Sequence, residues 1–374
     1  MHSDSRPADA TVPADTGPTT APGAVNAHTH VYSGLAPLGI PPPRPEPETF
    51  LHILERLWWR LDRALDPDSL RAAARLYVAE ALLAATTTLI DHHESPEFIE
   101  GSLDLLADVC DELGIRAVLC YGATERNGGR EEAQRGLLEC RRFIRDNTRP
   151  TVRGVVALHA AFTVSDETVR QAGELCRELD SVLHVHLAEA RSDVDDARAR
   201  GYAGPLERLL ELGALPPGSI LAHGVHLSEE QVRRAADNGL WFVQNPRSNR
   251  GNRVGYASSL AASRRVAVGT DGYPARMEDE AAALLELAAE HGDDPAGVVS
   301  RLAAGHFLAT ELLGDDITDD LVETDGERVR RVVVAGRTVV EDGRLTAADL
   351  EEIRATAARQ APRLWGRMAA LPLA

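Results

Sequence analysis

The stretch AVNAHTHVYSG, residues 24–34, decides how the rest of the chain is read. A run of small and β-branched apolar residues delivers His28 and His30, one residue apart, into a turn. In an extended strand, positions i and i+2 share a face, so the two imidazoles stand side by side at a strand end. Such a pair suits one small cation. Two polar loop residues would look the same, so the rest of the chain has to choose between the readings.

Seven further apolar runs of the same kind follow, at 86–93, 115–122, 152–160, 181–189, 219–226, 240–246 and 265–272. Between them lie amphipathic helical patterns such as ERLWWRLDRAL, SLRAAARLYVAEALLAA, GSLDLLADVCDELG, REEAQRGLLECRRFIRD and SEEQVRRAADNG. Eight strands each followed by helix predict an α/β fold, a parallel (β/α)8 barrel over residues 24–325. Continuous rather than alternating apolar runs fit strands covered on both faces. Residues 1–23 read as a disordered Pro/Thr/Ala-rich arm with neither the basic nor the apolar region of a signal peptide. Residues 326–346 read as a β-hairpin with Ala335 and Gly336 in its turn, and 347–374 as a closing helix packed on the barrel.

The polar residues of this pattern fall on one side. His28, His30, Asp91, His92, His93, His159, His186, Glu189, His223, Asn245 and Asp271 all sit at C-terminal strand ends, the face on which barrel enzymes assemble their sites. His28, His30, His186 and Asp271 form a candidate metal set of three imidazoles and a carboxylate, suited to one divalent cation, Zn²⁺ or alternatively Fe²⁺. Such a cation lowers the pKa of a bound water towards 7 and generates hydroxide at neutral pH. In HVHLAE, His184 and His186 share a face; His186 is taken as the ligand because it lies nearer the strand end, and His184 as a buried supporting histidine. Glu189 is placed to carry a proton to a leaving nitrogen, against the alternative of an N-cap acid. His223 is assigned to polarising the substrate or holding the attacking water, and Asp271 to accepting a proton as well as ligating. Trp58, His93, Arg126, His159, Asn245 and Arg247 are read as pocket residues, with the two arginines suggesting an anionic group on the substrate. Asp91 and His92 are read as a supporting pair.

Composition narrows the class. The chain has 374 residues, 44% hydrophobic and 26% charged, with a formal net charge of −18, which disfavours a nucleic-acid backbone as partner. No apolar run is long enough to span a membrane. The four cysteines, Cys110, Cys120, Cys140 and Cys176, form no CxxC pair and read as reduced buried thiols of a cytoplasmic protein. All 40 basic residues are arginine. The absence of lysine excludes Schiff-base chemistry, a lysine phosphate loop and a carbamylated-lysine metal bridge.

In the order HTH, HLAE, LAHG, GTDG the sequence resembles the amidohydrolase superfamily, in its mononuclear deaminase/chlorohydrolase branch. LERLWWRLDRALD, TTLIDHHESP, NPRSN with NRVGYA, GTDGY and VVEDGRL with LWGRM resemble the SsnA-type aminohydrolases most closely. The resemblance runs from about residue 24 to the C-terminus. It implies His28, His30, His186 and Asp271 as metal ligands, Glu189 as proton shuttle and His223 as the catalytic histidine. It also implies an accessory β-sandwich, of which the short N-terminal arm and the clipped GDDITDDLVETDGE segment leave a hairpin-sized remnant, and this alters the usual dimer contacts; a homodimer is the oligomer considered. YGATERNG places Gly122 where an acidic residue is expected. The expected activity is metal-dependent hydrolysis of a non-peptide C–N bond in a small nitrogenous heterocycle, with ammonia released. Alternatives are ring opening of a cyclic amide or amidine, dechlorination on the same site, or a silent metal-binding relic acting through a partner.

Overall fold

The computed structural model describes residues 18–314, 317–326 and 328–372. All eight expected strands are present and parallel: Ala24–Thr29, Thr86–Asp91, Arg116–Leu119 continued by Gly122–Ala123, Val152–Gly154 continued by Val156–Ala160, Leu183–Leu187, Ile220–His223, Trp241–Gln244 and Val266–Val268. The last strand returns to the first through main-chain bonds in which Asp271 N donates to His28 O at 3.0 Å and His30 N to Asp271 O at 3.1 Å. The barrel thus closes at the two residues that carry the first and last candidate ligands. Val25, Ala27, Ile90, Val118, Ala157 and Ile220, with Val243 and Ala267, belong to one buried cluster drawn from every strand except the fifth. On that fifth strand His184 and His186 take the alternate positions, both buried.

The closing helix, Leu350–Ala370, buries Ile353, Ala357, Ala361, Leu364 and Met368, a spacing of three and four that makes one stripe. The stripe belongs to the same cluster as the helix Pro67–Leu83. The Arg60 guanidinium donates to the carbonyls of Met368, Leu371 and Pro372, satisfying the orphan acceptors of the helix end.

The small sheet is larger than a hairpin. It has five antiparallel strands in the order Thr19–Pro22, Leu321–Asp325, Arg328–Val334, Arg337–Glu341, Arg344–Leu345. Ala335 and Gly336 both have positive φ, 49° and 75°, as a two-residue primed turn requires, and Asp342 and Gly343 repeat the device at 49° and 72°. Within the stretch read as a disordered arm, residues 19–22 are therefore a strand, paired with Leu321–Asp325. Its four residues are all exposed, so no apolar alternation marks it, and its partner lies about 300 residues away. Residues 1–17 lie outside the described residues. A buried bidentate pair, Arg116 Nε and Nη2 to Asp320 at 2.7 and 3.1 Å, ties this sheet to the third barrel strand. Among the described residues, no helix is long and apolar enough to cross a membrane.

Candidate metal centre

His28, His30, His186 and His223 are each fixed through Nδ1, with Nε2 turned to the barrel mouth. His28 Nδ1 bonds His184 Nε2 at 2.9 Å, His30 Nδ1 donates to His92 O, and His186 Nδ1 donates to His159 O. His223 Nδ1 donates to Asn249 Oδ1 at 2.9 Å. The Nε2 atoms of His28, His186 and His223 therefore carry lone pairs directed at one volume, the orientation that metal-binding imidazoles need, and His30 Nε2 faces the same volume. Two of them, on His28 and His223, are buried with no hydrogen-bond partner. Buried polar atoms without partners are rare, and here they are complementary to a cation.

The spacing fits one ion. His30 Nε2 lies 3.2 Å from His186 Nε2 and 2.9 Å from Asp271 Oδ1, and His28 Nε2 lies 3.5 Å from that same oxygen. Ligands about 2.05 Å from a tetrahedral metal are about 3.3 Å apart. Donor atoms of His28, His186, His223 and Asp271 also lie within 4.8 Å of one another. Protonation agrees. Burial drives His28 down to about 3 and lowers His186 and His223 as well, so these rings are neutral. Burial alone would raise Asp271, but the adjacent His28 and His30 rings outweigh it and hold the carboxylate ionised. His30 is the exception: burial lowers it, yet Asp271 and Glu94 together lift it to about 10. A local demand for positive charge this strong is met by a proton or, equivalently, by a cation.

Local backbone geometry aims these groups. Ala188, His223 and Asp271 adopt positive φ of 50°, 77° and 53°, turning the chain sharply where the fifth, sixth and eighth strands end. Glu189 follows such a turn. It lines the cavity, its Oε2 is 3.6 Å from His223 Nε2, and its Oε1 accepts from Asn252 Nδ2 at 3.4 Å. Burial, with Asp271 and Asp193 adding repulsion, raises its pKa well above the usual carboxylate range. It is not the cap of the following helix; that position belongs to Ala190.

The cavity beside the cluster encloses about 570 Å³ including its mouth. Trp58 and His159 line it, as do Trp59, Phe50, Tyr32 and Phe162. Trp58 and Trp59 flank the end of a π turn, Leu54–Trp58, and the Trp58 ring packs where a Cβ on Gly272 would be only 3.1 Å away.

The other four pocket expectations are corrected. Arg247 does not line the cavity: its side chain pairs with the fully buried Glu280 and donates to Pro274 O at 2.8 Å. Arg126 is held by Asp62 at 2.7 Å and lies 4.8 Å from the Trp59 ring centre, behind the wall. Asn245 is fully buried beneath His223, its Nδ2 3.4 Å from His223 Nδ1. His93 bonds Ser95 Oγ at 2.8 Å, because strand alternation sends it away from the interior that His92 occupies. Asp91 and His92 do not pair: Asp91 accepts from Val31 N at 2.6 Å, and His92 Nδ1 donates to Glu94 at 2.7 Å.

Several site groups besides Asn245 escaped the sequence reading. Asn245, Ser248, Asn249 and Asn252 are spaced i, i+3, i+4 and i+7 around the short helix Pro246–Gly251. Ser248 donates to Asp271, Asn249 accepts from His223, and Asn252 reaches Glu189. The helical period within NPRSNRGN was the available signal. Glu94, Asp62 and Asp193 also line the cavity.

Residues 19–309 match the amidohydrolase family model. Over 315 residues the chain is 32% identical to a 5-methylthioadenosine/S-adenosylhomocysteine deaminase of Desulforudis audaxviator, covering 79% of this chain and 68% of that protein. It is 32% identical over 270 residues to an 8-oxoguanine deaminase of Pseudomonas aeruginosa, covering 67% of this chain but only 59% of the relative. The zinc complex of atrazine chlorohydrolase from Arthrobacter aurescens TC1 superposes with a TM-score of 0.76 at 23% identity, over 92% of this chain and 89% of that one, and so shares the fold. A closed parallel barrel with a buried cluster of imidazoles and an ionised aspartate at its mouth, matched over most of its length by that family model, makes the chain a member of the amidohydrolase family and a hydrolase of carbon–nitrogen bonds.

Proposed function

We propose that this chain is a mononuclear zinc-dependent deaminase that releases ammonia from a small nitrogenous heterocycle. His28, His30, His186 and Asp271 hold the ion, and His223 stands beside it as the catalytic histidine. A divalent cation bound there supplies Lewis acidity and an activated water. Trp58 and Trp59 wall the cavity and exclude bulk solvent from a flat ring. Glu189 takes a proton from the attacking water and gives it to the departing nitrogen as the new C–O bond forms and the C–N bond breaks. Its raised pKa keeps the acid form available for that second transfer. His223 Nε2, bare and 3.6 Å from Glu189, is placed to hold the water or the oxygen that develops charge.

The observation that carries this reading is that Glu189 lines one aromatic cavity together with His30, His186 and Asp271 of the metal-type cluster, with the buried His223 Nε2 3.6 Å from Glu189. Both relatives named above are deaminases, which supports ammonia as the product. The test is an ammonia-release screen of zinc-loaded protein across purines, pyrimidines, pterins and cyclic amidines. Stoichiometric ammonia with the corresponding oxo-heterocycle is the expected result. A ring-opened acid, or chloride from a chlorinated ring, without ammonia would replace this reading with the corresponding hydrolase.

A further inference from the structure

Five carboxylates line the cavity, and four have evident tasks. Asp271 belongs to the metal cluster and Glu189 to the proton transfer. Asp62 is paired with Arg126, and Asp193 accepts from the Glu189 main-chain N at 3.2 Å. Glu94 remains. His92 Nδ1 donates to its Oε1 at 2.7 Å, while Oε2 lies 3.5 Å from His30 Nδ1, whose proton already goes to His92 O. One carboxylate oxygen is thus left to the cavity side.

Gly122 explains how that carboxylate fits. A Cβ at 122 would lie 2.5 Å from Glu94 Oε1 and 2.6 Å from His92 Cε1, so glycine lets both side chains approach as closely as they do. The sequence had suggested an acid at 122 itself. In this chain the Glu94 carboxylate, carried just past the end of the second barrel strand, packs against Gly122. A Glu94 oxygen and ring nitrogens of His159 and His186 lie within 4.8 Å of one another. A ring seated at the cluster therefore presents one edge to Glu94. Among the described residues that line the cavity there is no arginine to offer that edge a donor.

We propose that Glu94 is a specificity-determining residue that accepts an N–H donor from the substrate, so that the site selects heterocycles bearing an amino, amidine or protonated ring nitrogen over rings offering acceptors alone. This rests on the proposed deaminase reading for the kind of ligand, but its test reads binding rather than turnover. Glu94→Gln keeps an oxygen for His92 and turns the cavity-facing acceptor into a donor. Calorimetric Kd values are measured on zinc-loaded Glu189→Gln protein, with and without Glu94→Gln, for two matched pairs: 2-aminopurine against purine, and isocytosine against 4-pyrimidinone. The amino-bearing members are expected to bind more tightly when Glu94 is present and to lose about 10- to 100-fold on Glu94→Gln, while their partners change less than about threefold. Glu94→Asp, which keeps the charge on a shorter stem, should retain part of the preference. Equal losses for both members of each pair would overturn the proposal, as would loss of zinc in Glu94→Gln or a parent protein that does not discriminate. A chain that shows the discrimination yet deaminates nothing refutes the deaminase reading alone; one that deaminates but binds both members alike refutes the role of Glu94 alone.

Discussion

Replacing Glu189 by glutamine isolates the proton-transfer step. The substitution keeps the size of the side chain and leaves an oxygen to accept from Asn252, so the network Asp271–Ser248–Asn252 is preserved. What it removes is a transferable proton. General acid–base groups contribute about 10²- to 10⁴-fold, or about 2.7–5.5 kcal/mol of barrier. No other acid on the cavity wall can substitute. Asp193 is tied to the Glu189 main chain and Asp62 to Arg126. Burial alone would raise Glu94, but His92 and His30 outweigh it and hold the carboxyl well below the usual carboxylate range, with no proton to give. His223 Nε2, 3.6 Å from the lost carboxylate, can still orient water, which leaves some residual rate. Together these place the expected loss in kcat near the middle of that range, about a thousandfold. The assay is steady-state ammonia release, with metal content by mass spectrometry and Tm by calorimetry on the same preparation. Metal and Tm should match the parent protein. Turnover within about threefold of the parent would refute the assignment, and loss of metal would show that Glu189 is a ligand instead.

Other consequences follow from particular contacts. Gly269→Ala should lower both Tm and metal content, because its Cβ would meet His28 O at 2.5 Å and His28 N at 2.7 Å, where the barrel closes; normal zinc binding in that variant would mean the closure is more yielding than drawn. Arg247→Ala should leave KM unchanged within about twofold, since Arg247 is spent on buried Glu280, yet destabilise by about 3–5 kcal/mol. With an unfolding entropy near 0.8 kcal/mol/K for 374 residues, that is a fall in Tm of about 4–6 °C by calorimetry. Asp320→Asn, at the bidentate pair with Arg116, should lower Tm by a similar amount and raise proteolytic cleavage of the small sheet while sparing kcat; an unchanged Tm would show that the pair does not secure the sheet.

The eight strands and the clustering of histidines at the barrel mouth were legible because both follow from local rules. Apolar runs set the strands, and alternation put His28 and His30 on one face. The pocket wall was less legible because its residues are sorted by partners distant in sequence. Arg247 looks available in NPRSN until Glu280 is seen beneath it, and Arg126 until Asp62 is. In DHHES, His93 was favoured over His92 and Glu94, although a period of two separates inward from outward positions there. Glu94 lies beyond both the strand, which ends at Asp91, and the isolated bridge of His93 with Tyr121, so nothing local marks it as a wall residue. The strand at 19–22 was hidden for the opposite reason: an exposed edge strand carries no apolar signal, and its pairing depends on Leu321–Asp325.

The proposed site holds one ion among His28, His30, His186 and Asp271. Metal content of the purified chain by mass spectrometry, measured beside His186→Ala, tests it directly. One zinc per chain in the parent protein and none in His186→Ala is the predicted result. Two metals per chain, or none in protein never exposed to chelator, would contradict it.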